Sequence, residues 1–480
     1  MFKQSLSYLS SSALVVVINF ITLPYFTSFL SLSDYGKLAL FILFGNLASN
    51  LISFGLQQAA YRFYFKYDEN IFAIINSTII IFLIIIFSLA WFFVINPFAE
   101  LFSRSIFNDE ISAELLKLGF ISGCFQYFYL YLINLLVASK RANEVSFILV
   151  FHAFNNALLT FYFINWQSMT YLAPIYAVFI ANIISFSIAL IQNRSLFSPI
   201  FSLEKLVMST KFSYPEIPGI LVSLLYSSFD RSMLSNLKGA SSVGYYEFGN
   251  RFAIILKHFI DSISKSWSPF FMEFAEKNTI ESKSSITKRY YQIIFIFGFL
   301  GLCVSSFSEE GLIILTTEEF YKAKYLVPIL VMQMLFGSLG LISVNQIMFA
   351  GKLIYNLPVS VVSLSVNIFL NILLIPQFGA LGAVIATAIS TILSSILLFL
   401  LGKRAFPLPF DYLKLSCHFL LIAIITILIY STLYFDFGII YKIMLKFSYL
   451  AMYTFFSMKI GTIGRDDLIV FYETAQKKLR

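Results

Sequence analysis

The sequence predicts an all-α polytopic membrane protein of about 14 transmembrane helices, and three observations predict it. Of its 480 residues 59% are hydrophobic and only 12% charged, with a mean hydropathy of +0.83; a soluble globule carries roughly twice that charge. Apolar residues gather in runs long enough to cross a hydrocarbon core of roughly 30 Å, which takes about 20 residues of helix. Lys and Arg collect in alternate connections between those runs, as the bias against their translocation requires.

The expected spans are 8–30, 36–58, 71–95, 112–137, 143–164, 170–191, 213–237, 244–267, 290–308, 324–349, 355–375, 380–402, 412–432 and 439–460. The first is too long for a signal-peptide core. It runs into Pro24 and a polar turn instead of a small-residue cleavage site, so it is expected as a mature helix. The longest cytoplasmic stretch of the first half, Gln192 to Lys211, divides six spans from the rest. The expected parts are therefore 1–191, a linker at 192–211, 212–404, and 405–480 with two additional helices and a tail. Pro24, Pro174, Pro218, Pro328, Pro358 and Pro376 fall inside or at the ends of spans. Each reads either as a kink or as an ordinary membrane-helix proline. The longest external loops, near 96–111 and 308–323, have about sixteen residues each.

With the N-terminus inside, the cytoplasmic side receives 21 of the 33 Lys and Arg and the outside eight; Arg231, Arg251, Lys257 and Lys265 fall within spans. An even number of crossings leaves both termini cytoplasmic, and an external loop with Glu309, Glu310, Glu318 and Glu319 agrees. The net charge of +8 is thus mostly a topology signal. Dispersed over short loops, it argues against nucleic acid as a partner. Cys124, Cys303 and Cys417 lack the spacing of a metal site or disulfide framework, and His152 and His418 sit near helix ends as structural residues. No metal and no cofactor are expected.

A repeat is visible in the turns. SDYGKL at 33–38 and SSVGYY at 241–246 each follow an inside-to-outside helix and put a glycine at the start of the next one. Gly36 and Gly244 lie 208 positions apart. Either the two halves are parallel repeats about an axis along the membrane normal, or short apolar stretches match by chance.

The eighth span holds most of the intramembrane charge: Glu247, Arg251, Lys257, His258, Asp261 and Lys265. Charges in a bilayer are costly unless paired or facing water, which marks this helix as a functional segment. At about 100° per residue all six lie in an arc of roughly 120°, with Asn250 beside them. The opposite face carries Phe248, Phe252, Ile255, Phe259 and Ile263. Spacings of four residues also allow Glu247 with Arg251, Lys257 with Asp261, and Asp261 with Lys265 to pair along the helix. In the seventh span Asp230 and Arg231 form either a structural pair or an ion-cycling carboxylate beside a cavity-facing cation. Asn46, Asn50 and Gln57 share one stripe of the second span, suited either to sugar hydroxyls or to interhelical hydrogen bonds.

Several stretches resemble a known family at matching places along the chain: NFITLPYFTSFLSLSDYGKLAL (19–40), FGLQQAAYRF (54–63), YPEIPGILVSLLYSSFDRSML (214–234), VGYYEFGNRF (243–252), SWSPFFMEF (266–274) and NIFLNILLIPQFGALGAVIAT (367–387). Their order and spacing are similar to the polysaccharide-repeat-unit flippases (Wzx type) of the multidrug, oligosaccharidyl-lipid and polysaccharide exporter superfamily. The resemblance implies two six-helix lobes around a central cavity, alternating access, and a polyprenyl-pyrophosphate-linked oligosaccharide as cargo. It further implies a place in the bacterial cytoplasmic membrane among membrane lipids, with O-antigen or capsular polysaccharide as the product and a polymerase and chain-length regulator as partners.

For such a cargo, cavity cations would compensate the pyrophosphate by charge-assisted hydrogen bonds. Arg251, Lys257 and Lys265 are the natural candidates, with Arg231, and with Arg62 at the cytoplasmic mouth as either a phosphate catcher or a lipid-headgroup contact. Asn46, Asn50, Gln57, Asn250 and His258 would line the cavity. Asp230, Glu247 and Asp261 are the groups that a proton or sodium gradient would act on. A cation-coupled multidrug exporter is the alternative, disfavoured by the basic eighth span. An integral-membrane polymerase or glycosyltransferase would need a reactive loop, and neither long external loop assembles a nucleophile with a base.

Overall fold

The computed structural model describes residues 2–464 apart from 168, 170, 215, 216, 436 and 437, and not the side chains at 2–9, 227, 262, 265, 266, 269, 353 and 439. The described residues are helical throughout, with short turns and no strand among them. The chain divides into two compact units, Met1–Glu247 with Leu315–Glu319, and Phe248–Ile314 with Phe320–Arg480.

The first unit holds α1 (Phe2–Phe29), α2 (Leu32–Ile52), α3 (Leu56–Tyr64), α4 (Glu69–Ala90), α5 (Asn96–Phe107), α6 (Ala113–Ala138), α7 (Ala142–Trp166), α8 (Leu172–Gln192), α9 (Leu203–Ser213), α10 (Ile217–Lys238) and the start of α11 (Ala240–Lys277). The second holds the rest of α11, then α12 (Ile280–Ser306), α13 (Ser308–Leu315), α14 (Val327–Gly337), α15 (Leu339–Phe349), α16 (Asn356–Phe378), α17 (Ala380–Ala405), α18 (Tyr412–Thr432) and α19 (Ile439–Ile460). The stretch 192–211, expected as a linker, lies within the first unit and includes most of α9.

Among the described residues eleven helices are long and apolar enough to cross a membrane, so the protein is multi-pass. The expected spans on α10, α11 and α19 lie outside that set, and each of these three helices includes residues whose side chains are not described.

Two expected spans change shape. The second ends at Ile52, because Phe54 and Gly55 take left-handed φ values of 51° and 67° that a right-handed helix cannot carry. Gln57 consequently sits on α3, on a different helix from Asn46 and Asn50. The third continues through a π turn at Trp91–Ile95 into α5 and reaches Phe107, so most of the expected loop at 96–111 is helix. Of the six prolines, Pro24 and Pro376 lie in helix interiors.

Local chemistry sets the start of α2. Ser31 and Asp34 form a capping box: the Ser31 hydroxyl accepts from the Asp34 amide at 3.1 Å, and the Asp34 carboxylate accepts from the Ser31 amide at 3.0 Å.

Close helix approach in lipid relies on small residues, since the surroundings supply no hydrophobic drive between helices. On α6, Gly119 and Gly123 form a GxxxG pair whose backbone meets Gly45 of α2; a Cβ on Gly45 would overlap the Gly119 carbonyl, and one on Gly123 the Gly45 carbonyl. A second contact of the same kind joins α2 to the start of α11. A Cβ on Gly36 would overlap the carbonyl oxygen of Ala240, and one on Gly244 the carbonyl oxygen of Leu32. Leu32 and Ala240 each lie four residues before their own glycine, so the contact is reciprocal.

In the second unit α16 and α17 pack through Gly382, set against the Leu374 carbonyl, and through buried amides. Asn367 donates to Thr387 Oγ1 at 3.2 Å and Asn371 donates to Asn367 Oδ1 at 3.0 Å. On α19 the Tyr453 hydroxyl sits over Gly298 and donates to the Phe295 carbonyl at 3.0 Å.

A charge cluster ties α19 to the segment after α12. Lys324 Nζ lies 2.7 Å and Lys442 Nζ 3.5 Å from Glu309 Oε1, and Lys446, 1% exposed, reaches Glu310 at 2.5 Å and Glu309 at 3.9 Å. Burial pushes the Glu309 carboxyl up. The hydrogen bond and charge of Lys324, with the charges of Lys442 and Lys446, outweigh that and hold it below the ordinary value.

A carboxylate with a depressed folded pKa lends stability that is complete above its unfolded pKa and is lost as pH falls through the folded one. The melting temperature of the detergent-solubilised protein should therefore fall on acidification below about pH 4.5. Glu309→Gln should lower it already at pH 7, by a loss of about 3–5 kcal/mol, and flatten that acid limb; an unchanged acid limb refutes the assignment. Gly36→Ala and Gly244→Ala should each cost about 1–3 kcal/mol by overpacking. Gly219→Ala, whose Cβ meets nothing within 4 Å, should leave the melting temperature unchanged.

Candidate functional site

The first unit gathers four polar side chains where α10 meets the start of α11. Asp230 is 3% exposed and fully engaged: the Tyr246 hydroxyl donates to its Oδ2 at 2.6 Å, and the Arg231 amide donates to its Oδ1 at 2.8 Å. Arg231 forms an ion pair with Glu247, and its guanidinium stands 5.4 Å from the centre of the Tyr246 ring. Neighbouring residues Asp230 and Arg231 thus reach two neighbours on α11, Tyr246 and Glu247. The quartet contains two acids and one base, and burial makes each of its contacts strong.

Glu247, whose spacing also allows a pair with Arg251 along α11, is engaged by Arg231 of α10. Tyr246 was not singled out from the sequence; its signal was a hydroxyl one position from Glu247 in an otherwise apolar stretch.

In the second unit α11 has two unlike faces. Phe248, Phe252, Ala253 and Leu256 are buried, and the Phe248 ring lies 4.6 Å from that of Phe320, centre to centre. Asn250, Arg251 and His258 are half-buried, and Lys257 and Asp261 are exposed. The polar arc is the accessible side of the helix. Phe259, expected on the packed face, is 48% exposed. Among the described residues no ion pair joins Lys257 to Asp261, whose spacing would allow one. The side chain of Lys265 lies outside the described residues.

The remaining candidates are dispersed. Asn46 and Asn50 are half-buried on α2, where the Asn50 amide donates to the Asn46 carbonyl at 2.8 Å and the Asn50 carbonyl accepts from Ser53 Oγ at 2.7 Å. The amide of Asn50 is thus engaged along its own helix. Gln57 and Arg62 belong to α3, Gln57 half-buried and Arg62 exposed in its last turn.

A cavity of about 380 Å³ opens in the first unit between α4, α6 and α8, lined by Ile84, Phe87, Trp91, Phe92, Phe120 and Phe128 among others. It is apolar and contains none of the residues chosen from the sequence. Its chemistry suits hydrocarbon, and it offers nothing to a phosphate.

Comparison with known proteins places this geometry in a family. Over 181 residues the chain is 29% identical to a "Probable low-salt glycan biosynthesis flippase" of Haloferax volcanii, covering 36% of this chain and 37% of that protein. Over 262 residues it is 26% identical to a capsular polysaccharide biosynthesis protein of Staphylococcus aureus, covering 52% of this chain and 65% of the other. In both cases the match spans less than two thirds of the relative. Among solved structures, a lipid II flippase in an inward closed conformation superimposes with a TM-score of 0.68 at 17% identity, over 95% of this chain and 98% of that one. An inward-facing multidrug resistance transporter of the MOP superfamily gives 0.63 at 16% identity, over 81% and 94%. At such identities these two likenesses establish the fold alone, which is all-helical among the described residues. Residues 2–275, more than half of the chain, match the family described as polysaccharide biosynthesis protein, and on that match the chain belongs to this family.

Proposed function

We propose that the protein moves lipid-pyrophosphate-linked oligosaccharide repeat units from the inner to the outer leaflet of the bacterial cytoplasmic membrane, for O-antigen or capsular polysaccharide. The observation that carries this reading is the accessible cationic row on α11 in a chain of a polysaccharide biosynthesis family. Arg251 and Lys257, with Lys265, would compensate the pyrophosphate, whose charge needs fixed cations once it leaves water. Asn250 and His258 would meet neighbouring oxygens, and Asn46, Asn50 and Gln57 sugar hydroxyls. The relatives named for glycan and capsule biosynthesis support such a cargo.

In this reading 1–191 and 212–404 act as two six-helix lobes that alternate access to a cavity, 405–480 adds two helices, and both termini are cytoplasmic. No bond is made or broken in the cargo, so the role is transport. Asp230, Glu247 and Asp261 would respond to a proton or sodium gradient, and a polymerase and chain-length regulator would receive the product. The fold shared with a multidrug resistance transporter favours a second reading, a cation-coupled exporter. A basic row would repel cationic drugs, which argues against it.

Arg251→Ala and Lys257→Ala should each lower flipping of the lipid-linked oligosaccharide in reconstituted vesicles roughly 10- to 100-fold, the worth of a hydrogen bond to a charged group. Unchanged flipping by both, with normal insertion, refutes the phosphate contact. Extrusion of a cationic dye by the wild type without glycolipid flipping would establish the exporter. Arg231→Met and Glu247→Leu should each destabilise the solubilised protein by about 3–5 kcal/mol, and the double variant should recover much of that loss. Additive losses in thermal unfolding would mean that the two side chains do not act as a pair.

A further inference from the structure

The segment expected as a cytoplasmic linker is fastened to the first unit by a ladder of side chains. Three consecutive residues of α4 hold its backbone: Asn76 donates to the Leu196 carbonyl at 2.8 Å, Ser77 Oγ accepts from the Ser198 amide at 2.8 Å, and Thr78 Oγ1 accepts from the Ser202 amide at 3.1 Å. Asn76 is itself positioned by the Tyr131 hydroxyl at 2.8 Å. Upstream, Arg141 donates to the Gln192 carbonyl at 2.7 Å, and the buried Asn193 donates to the carbonyls of Ala189 and Leu132. So many bonds made by buried groups fix the position of this strap relative to α4.

The strap delivers α9 in a defined orientation. Leu206, Ser209 and Ser213 are buried, the Phe212 ring lies 5.3 Å from that of Phe63, and the Tyr67 hydroxyl reaches Met208 Sδ at 3.1 Å. One flank of α9 therefore packs on α3 and its neighbours. A second flank is apolar and open, with Leu203 66%, Val207 44% and Tyr214 67% exposed, continuing into Ile200 at 53% and Phe201 at 45%. The third flank carries Glu204, paired with Lys205 at 2.9 Å, and the exposed Lys211. Arg62 and Lys66 on and after α3, and Arg194 in the strap, are exposed as well. Against these five cations stand Glu204 and, at the start of α4, Asp68 and Glu69, which leaves a positive surplus.

A helix with one packed, one apolar and one charged flank, beside a surplus of cations, fits neither water nor hydrocarbon alone. Asn76 to Thr78, which hold the strap, lie seven to nine residues from the start of α4 at Glu69, about 10–14 Å along the helix at 1.5 Å per residue.

We propose that α9 with its strap is a membrane-surface anchor: the flank of Leu203, Val207 and Tyr214 enters the acyl boundary, and Arg62, Lys66, Arg194 and Lys211 hold anionic lipid headgroups. The anchor fixes the first unit in depth whatever cargo is carried. It also gives Arg62 a role as a headgroup contact.

The test uses the full chain in vesicles of phosphatidylcholine and phosphatidylglycerol, with its three native cysteines replaced by alanine and single nitroxide labels introduced by Leu203→Cys, Glu204→Cys, Val207→Cys and Lys211→Cys. Labels at 203 and 207 should collide mainly with oxygen dissolved in lipid, and those at 204 and 211 mainly with a water-soluble nickel complex. Equal nickel access at 207 and 204 overturns the anchor. The same chain with Arg62→Gln, Lys66→Gln and Lys211→Gln should retain less phosphatidylglycerol relative to phosphatidylcholine in native mass spectrometry, about fivefold per cation removed. Unchanged retention overturns the headgroup assignment, and because all three positions are exposed, folding is not at stake in that comparison.

Discussion

Backbone-to-backbone contact at glycine is the constraint on which the first unit depends. A membrane helix gains nothing from hiding apolar side chains, since lipid is as apolar as they are, so its neighbours must be held by surface fit and polar bonds. Gly45 against Gly119 and Gly123 brings α2 onto α6, and Gly36 against Gly244 brings the same helix onto the start of α11. Two seams on one helix fix its position. The polar quartet of α10 and α11 can then form, because Tyr246 and Glu247 follow Gly244 by less than one turn.

The charges divide into two kinds. Asp230, Arg231, Tyr246 and Glu247 satisfy one another, as do Glu309 and Glu310 with their three lysines. Such sets hold helices in register and leave little for a ligand. The row on α11 differs: Lys257 and Asp261 are exposed, and Arg251 and His258 half-buried, on a helix whose other face is packed. Desolvation is costly for such side chains in a dry interior, and none of the four is fully buried.

Much of this was legible in the sequence because the bilayer leaves few options. Apolar length gave the spans, and periodicity gave the two faces of α11. What escaped depends on atoms that periodicity cannot see. The break after Ile52 rests on the φ values of Phe54 and Gly55, and it puts Gln57 on a different helix from Asn46 and Asn50. Spacing within α11 could not show that Arg231, on another helix, reaches Glu247. The stretch 192–211 is expected as a cytoplasmic linker, and nothing in its composition reveals that Asn76, Ser77 and Thr78 hold its backbone. The pair Gly119 and Gly123 carried a readable signal, four-residue spacing in an apolar run, that hydropathy alone passes over.

The reciprocity at Gly36 and Gly244 has a local consequence. Each glycine meets the carbonyl four places ahead of the other, so a side chain at either position would push apart the same two backbones, and enlarging one residue cannot be offset at its counterpart, which already carries nothing to trim.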